Sequence, residues 1–498
     1  MICLKIPICQ TLKLFVFISA LFSLRGIAQE KSIPLIYQLE MESHSIHVNF
    51  LYLPIEKDST VFIYGQPAFG GQTDILDGLR NLHLSSGGKI SLDSAKRRII
   101  IYFRNADTIR ISYDILDTRV GNSTKNQLFR PMITPDYLFI HGVNLFLTPQ
   151  FRKEDQIIHV SLEWKRQPPF PLFYTFDPEN DGSHHSVTTV DSISLRFITG
   201  ANDLFIKRFR SESGTNYLVL RSGGMKQEMV TEIEKFYIRY NSQLRRYWKD
   251  TRIIEYSLVL QPFIGVDHNI SGVSFGNGFI GKYNKADSIV QGYRQFVIAH
   301  EMGHYYLGDV VAFSGEDMEG QWFDEGFNDY TTLSNLTGAG YLTTDDFEKE
   351  FNRIFLQLYG SKIKNTPNNK IFENFWKLGD YQKLPYWRGC IYAFYLDNQI
   401  ALATGQQHSI RDLMLDLKQL VMKRENKMFT NEEFINAVSK FLKHQQVQDA
   451  FIRYIEDGNS INFNNSMIIP SIRILDSSGI PVIHIVDKAK FLRHYMLN

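Results

Sequence analysis

Apolar side chains recur at every second position through much of the first two hundred residues. Ile46, Val48, Phe50 and Tyr52 form one such run, Ile109, Ile111, Tyr113 and Ile115 a second, and Ile158, Val160, Leu162 and Trp164 a third. Side chains along a strand point alternately to its two faces, so each run predicts a strand with one face buried. Gly70-Gly71, Ser85-Ser86-Gly87-Gly88 and Pro168-Pro169 supply turns between them. Residues 29–205 are therefore predicted to form an antiparallel β-sandwich domain.

The period changes near residue 225. Met229, Ile233, Phe236, Tyr237 and Tyr240 fall on one face of a helix, and a strand-like run follows from Ile253 to Phe263. A glycine-rich loop, Ser271-Gly272-Val273-Ser274-Phe275-Gly276-Asn277-Gly278, comes next, and helical spacing then prevails to about residue 465. Thr343-x-x-Asp346, Ser409-x-x-Asp412 and Thr430-x-x-Glu433 each set a hydroxyl three residues ahead of an acid. In that arrangement each side chain satisfies a backbone N–H at the start of a helix. Residues 466–498 turn strand-like again at Ile468–Ile474 and Ile480–Val486. The expected fold class is α+β: a β-sandwich, a mainly helical domain over 206–465, and a short tail.

Composition narrows the function classes. With 44% hydrophobic and 21% charged residues the chain is neither disordered nor fibrous, and a net charge of +1 gives no electrostatic basis for binding nucleic acid. Residues 1–28 read as a signal peptide: Lys5 and Lys13 precede an apolar run from Leu14 to Leu24, and Gly26-Ile27-Ala28 provides small residues before a cut at Gln29. Removing them leaves 51 basic against 53 acidic residues. The expectation is export to the periplasm, the cell surface or the medium. The apolar run is too short to span a bilayer and no later run is long enough, so no transmembrane segment is expected in the mature chain. Cys3 and Cys9 fall in the leader, and Cys390 alone should be a buried small hydrophobe.

One stretch carries candidate chemistry. Ile298-Ala299-His300-Glu301-Met302-Gly303-His304 spaces two histidines four apart, with a glutamate after the first. On a helix, His300 and His304 lie one above the other and can aim both imidazoles at one point. Two neutral imidazoles suit Zn2+, and Glu301 can take a proton from an attacking water. The five-residue pattern arises by chance in roughly one chain in forty, so it needs a third ligand to mean anything. Trp322-Phe323-Asp324-Glu325-Gly326-Phe327-Asn328-Asp329-Tyr330 offers Glu325, with 20 residues separating it from His304. Asp329, one helical turn further on, can accept from the far nitrogen of His300 and fix its tautomer. The expected cofactor is one Zn2+ per chain, and the helix should end at Gly338 and Gly340.

These segments resemble the gluzincin zinc metallopeptidases, especially the aminopeptidase N and glycyl aminopeptidase families. His304 is followed by Tyr305-Tyr306-Leu307-Gly308-Asp309, with Asp309 where the family places asparagine, and the connection to Glu325 reads as longer by two residues around Ser314 to Gly320. Pro385-Tyr386-Trp387-Arg388-Gly389 resembles the families' Tyr-x-Lys/Arg-Gly segment. The resemblance implies a thermolysin-like catalytic domain behind the β domain, and makes Tyr386 the donor that steadies the oxyanion of the tetrahedral intermediate. It further implies that His300, His304 and Glu325 hold zinc and that Glu301 activates water. The expected function is zinc-dependent hydrolysis of peptide or protein substrates. The alternative is an inactive peptidase-fold protein that binds peptides or glycans at a surface.

One part of the family pattern is missing. Aminopeptidase N relatives bind the substrate's free amine with a glutamate in a strand before the zinc motif. The corresponding stretch here, Gly272 to Asn277, has no acid. Its backbone, with Gly272 and Asn277 as substrate contacts, is expected to bind peptide through main-chain hydrogen bonds. Asp267, Glu316, Asp317 and Glu319 are the acids that could stand in for the glutamate. Arg388 is a further candidate contact for a substrate carboxylate, with a structural ion pair as the alternative. His184-His185 reads as part of a solvated acidic loop, Asp177 to Ser186.

Overall fold

The alternating runs pair with one another. In the computed structural model, Ser45–Tyr52 lies antiparallel to Ile109–Leu116, with Tyr52 opposite Ile109, Phe50 opposite Ile111, Val48 opposite Tyr113 and Ile46 opposite Ile115. All eight side chains are buried, so the register is set by one shared apolar face. The structure describes residues 32–496 except 66–68, 70–71, 73, 105–107, 119–129, 151–155, 180–182, 212–213, 223–224, 263–269, 276, 284–289, 316–318, 376–378 and 425. The expected leader lies outside the described residues.

The chain divides into two compact units, meeting at Leu204 and Phe205. In the first, a six-stranded sheet includes Ile158–Arg166, which runs parallel to Ile33–Met41; the other pairings in this sheet are antiparallel. A four-stranded sheet containing Ser59–Tyr64 faces it, and Phe62 packs edge-on to Phe50 across the gap at 5.6 Å between ring centroids. Tyr37, Tyr64 and Tyr113 are buried in this core, and each hydroxyl donates to a carbonyl of the segment Asn144–Leu147 at 2.6–2.9 Å. The aromatic rings thus fill the core without leaving a hydroxyl unsatisfied. His184 corrects the solvated-loop expectation. It opens the strand His184–Thr188, is 1% exposed, and stacks on Tyr174 at 3.4 Å. A neighbouring strand, Ile158–Arg166, recruits these residues into its ladder, which the acidic composition of the loop did not reveal.

The second unit begins with a five-stranded sheet in the order Leu204–Ser211, Gly214–Arg221, Tyr256–Pro262, Gly278–Tyr283, Ile270–Ser274. The glycine-rich stretch expected as a loop is therefore mostly strand. Ile270–Ser274 forms the sheet edge, antiparallel to Gly278–Tyr283, while the interior pairings are parallel. The long helix Gln227–Tyr247 buries Met229, Ile233, Phe236, Tyr237 and Tyr240, the apolar face read from spacing. All three capping boxes form, at Thr343, Ser409 and Thr430. Cys390 is buried. No helix among the described residues is long and apolar enough to cross a membrane.

The tail is a hairpin, Ile472–Ser477 with Ile480–Ile485, followed by a helix, Lys488–Tyr495, that the strand-like reading did not include. This helix anchors itself by Phe491 against Phe347, at 5.0 Å between ring centroids, and by a buried polar cluster. Asp397 accepts from His494 at 3.0 Å, from the Tyr330 hydroxyl at 2.6 Å and from the Ile410 N–H at 2.7 Å. Burial raises the proton affinity of the Asp397 carboxyl, but His494 and its other donors outweigh this and hold it below the usual carboxylate value. Burial likewise opposes charge on His494, which Asp397 nevertheless holds above the ordinary histidine value.

Candidate metal centre

The helix Gln291–Gly303 carries His300 and Glu301 on buried positions, and His304 forms its C-terminal cap. Four-residue spacing brings the two imidazoles together, with Nε2 of His300 and Nε2 of His304 3.1 Å apart. Glu325 enters from a wide π turn, Trp322–Phe327, that precedes the helix Asn328–Gly338. Its Oε2 lies 3.1 Å from His300 Nε2 and 3.3 Å from His304 Nε2. Such single π turns are frequent at functional sites because the extra residue re-aims the side chains it carries. Here the turn packs backbone to backbone on the helix Gly379–Ala403: a Cβ on Gly326 would overlap Gly389, and one on Gly389 would overlap the Trp322 carbonyl.

This donor set fits zinc. Tetrahedral bonds of about 2.0–2.1 Å set neighbouring ligand atoms about 3.3 Å apart, and the three separations observed match that edge length. Each remaining ring nitrogen faces an oxygen of the protein. His304 Nδ1 donates to the Leu307 carbonyl at 3.2 Å, and His300 Nδ1 lies 2.8 Å from Asp329 Oδ1. Among the described residues, no other group of three or more His, Cys, Asp or Glu offers such a cluster.

The electrostatics follow from crowding. Burial works against charge on both histidines, but Asp329 and Glu325 hold His300 well above its ordinary value, and Glu325 brings His304 up to about 9. Burial would raise the Glu325 carboxyl, yet the two histidines hold it well below the usual range. The three groups therefore form a charge-paired set into which a dication can replace protons. Glu301 differs. Burial pushes its carboxyl up, and His300, His304 and Lys383 only partly oppose this. A carboxylate with raised proton affinity next to the ligand set is suited to accepting a proton and giving it back.

Glu301 lies directly under the edge strand Ile270–Ser274. A Cβ built on Gly272 would fall 2.8 Å from its Cδ and 3.0 Å from its Oε1. The absence of a side chain at 272 is what lets strand and carboxylate approach. Asn277 lies in the turn after this strand, and its carbonyl accepts from the Ser257 N–H at 3.0 Å. Ser274 Oγ donates to Asp309 Oδ2 at 3.4 Å, tying the strand to the segment that follows His304. Tyr386, on the helix Gly379–Ala403, lies almost parallel to the His300 ring, 14° off and 6.1 Å away. Burial, then the negative charge of Glu325 and Asp329, pushes its phenol well above the ordinary value, so it remains a donor at neutral pH.

Arg388 does not meet the expectation of a substrate contact. It is 4% exposed, and its Nη2 donates to the carbonyls of Lys364 at 3.1 Å and Thr366 at 2.6 Å. Two residues past Tyr386 on a helix, its side chain leaves from a different face, and loop carbonyls capture it. Glu319, one of the stand-ins for the amine-binding acid, is exposed and borders a groove of about 350 Å³ with Glu456 and Asp457; Asp267, Glu316 and Asp317 lie outside the described residues. Two contributors went unread in the sequence. Asn328, fully buried, donates from Nδ2 to the His300 carbonyl at 2.8 Å and closes the space above Gly303. Lys383, three residues before Tyr386, brings its Nζ 4.1 Å from that ring's centroid, a neighbour that helical spacing could have flagged.

No family model matches the chain, and no curated protein matches it. Solved structures do. An aminopeptidase N family protein from Idiomarina loihiensis superimposes with a TM-score of 0.73 at 14% identity, over 89% of this chain and 79% of that one. The native LTA4 hydrolase of yeast gives a TM-score of 0.50 at 13% identity, covering 89% and 73% of the two chains. A variant of the M1 zinc metallopeptidase from Deinococcus radiodurans gives 0.50 at 12%, covering 86% and 95%. The fold, with its β unit ahead of a mainly helical one, is the one seen in these aminopeptidase N family and M1 metallopeptidase structures.

Proposed function

We propose that the chain is an exported zinc-dependent peptidase, aminopeptidase-like in architecture, with residues 206–465 as its catalytic domain. The observation that supports this most is the approach of three ligand atoms to within 3.1–3.3 Å of one another, next to the buried Glu301. In this reading His300, His304 and Glu325 hold Zn2+, and Asp329 orients His300. The ion, when bound, supplies a Lewis acid that polarises a peptide carbonyl and makes a water more acidic. Glu301 takes the proton of the attacking water and delivers it to the leaving amine. Tyr386 donates from its hydroxyl to the oxyanion, and the Ile270–Ser274 sheet edge offers its backbone groups to an extended peptide.

The missing acid bears on specificity. Without a carboxylate in the Gly272–Asn277 stretch, free N-termini have no counter-charge on that strand, so the protein should cleave acetylated peptides about as well as free ones. Zinc content and a peptide-mixture digest, each with and without chelator, test the reading. About one zinc per chain and chelator-sensitive cleavage are expected. Intact protein that binds no zinc, or zinc-loaded protein that cleaves nothing, would refute it. Export is checked by sequencing the N-terminus of secreted protein, which should begin at Gln29.

A further inference from the structure

Lys383 and Tyr386 lie three residues apart on one helix, which places them on the same face. The lysine is exposed, yet its ammonium lies 4.1 Å from the centroid of the Tyr386 ring. Attraction to the ring's negative face holds such a cation in place and leaves its hydrogen-bonding capacity free. Tyr386 in turn lies almost parallel to the His300 ring, 6.1 Å away. The ammonium therefore stands on the ring that neighbours the candidate metal centre.

The local acids are already engaged. Glu325 and Asp329 lie against the ligand histidines, and Glu301 is buried beneath Gly272. Among the described residues none pairs a carboxylate with Lys383. The edge strand, Ile-Ser-Gly-Val-Ser, contributes no charge. A substrate entering here meets a held positive charge in want of a partner. An incoming ammonium is repelled by it, and an incoming carboxylate is matched.

We infer that Lys383 is a specificity-determining residue that pairs with a carboxylate of the bound peptide, either an Asp or Glu side chain or the C-terminal α-carboxylate. The inference rests on the peptidase reading for the kind of molecule bound, and its test is read by binding so that the two can fail separately. An exposed ion pair is worth up to roughly 1 kcal/mol, which corresponds to about fivefold in affinity.

The test uses the zinc-loaded full chain carrying Glu301→Gln, so that bound peptides persist, and isothermal titration calorimetry. The probes are alanine hexapeptides, acetylated and amidated, with Glu or Gln substituted at each position in turn, together with the same all-alanine peptide as a free C-terminal acid. At one position of the Glu series, or for the free acid, binding should be about fivefold tighter than for its neutral partner. Which series responds identifies the source of the carboxylate. Adding Lys383→Met should abolish the difference, and Lys383→Arg should restore it. Equal binding of acidic and neutral peptides, no binding by any of them, or a preference that survives Lys383→Met would each overturn the inference. If the wild-type protein hydrolyses nothing while the calorimetric preference is present, the peptidase reading fails and this one stands.

Discussion

Gly272→Ala probes the closest approach at the site. The added Cβ would lie 2.8 Å from Glu301 Cδ, 2.9 Å from Cγ and 3.0 Å from Oε1. Carbon atoms rest comfortably at about 3.5–4.0 Å, so the carboxylate must retreat by about 0.7–1 Å. What it meets is the end of a side chain, which can rotate at a cost of about 1 kcal/mol, whereas a clash with backbone would threaten the fold. A displacement of about 1 Å at a reacting group costs about 100-fold in rate, or about 2.7 kcal/mol in the barrier. The expected result is a kcat on a fluorogenic peptide lowered about 10- to 100-fold, with zinc content unchanged and Tm within about 3 °C of wild type. The zinc should stay because the atoms nearest the added carbon all belong to Glu301 rather than to His300, His304 or Glu325. A variant with wild-type kcat would show that Glu301 is not held where the strand passes. Loss of zinc, or a collapse in Tm, would show that the space above the carboxylate supports the ligands or the fold.

Other perturbations separate the remaining roles. Asp329→Asn should weaken zinc binding about 10- to 100-fold in a competition against a chelator of known affinity, because His300 loses the partner that fixes its tautomer. Tyr386→Phe should lower kcat about 100-fold while leaving zinc content and peptide binding near wild type, since its hydroxyl acts on the developing charge. His494→Gln should destabilise by about 3 kcal/mol, roughly 6–10 °C in Tm, by leaving Asp397 buried without its counter-charge. That loss should depend on pH. His494 has a raised folded value, so its contribution is complete below its unfolded value of about 6.5 and fades as pH climbs through the folded one. Asp397 has a lowered folded value, so its contribution is complete above about 3.9 and is lost as pH falls through the folded one. The Tm gap between wild type and His494→Gln should therefore be widest between about pH 4 and 6.5; a gap constant from pH 4 to 9 would refute the pairing.

How far the sequence revealed this arrangement depended on whether local spacing or tertiary contact decides each feature. His300 and His304 converge because four residues make about one helical turn, and Asp329 faces His300 for the same reason relative to Glu325. The eight alternating apolar residues of two strands pair because period two leaves one register that buries them all. Gly272 to Ser274 gave no such signal: a single valine between glycine and serine sets up no alternation, and only the neighbouring strand makes the stretch an edge. The helix Lys488–Tyr495 was invisible for a related reason, since Phe491 is its one buried apolar residue and His494 and Tyr495 make further contacts that only the tertiary fold supplies. The π turn at Trp322–Phe327 has no periodicity of its own, and the direction of Arg388 is set by carbonyls more than twenty residues away. Tyr386 was singled out by resemblance alone; its placement against His300 is a tertiary fact.

The contact between Gly326 and Gly389 has a mechanical consequence. Glu325 precedes one glycine and Tyr386 lies three residues before the other, and with no side chain between the two backbones there is nothing to yield. The Glu325 carboxylate and the Tyr386 phenol are thus mounted on a single stiff joint. Moving the Glu325 carboxylate would shift the tyrosine with it, so an engineer could not re-aim the one while holding the hydroxyl of the other fixed.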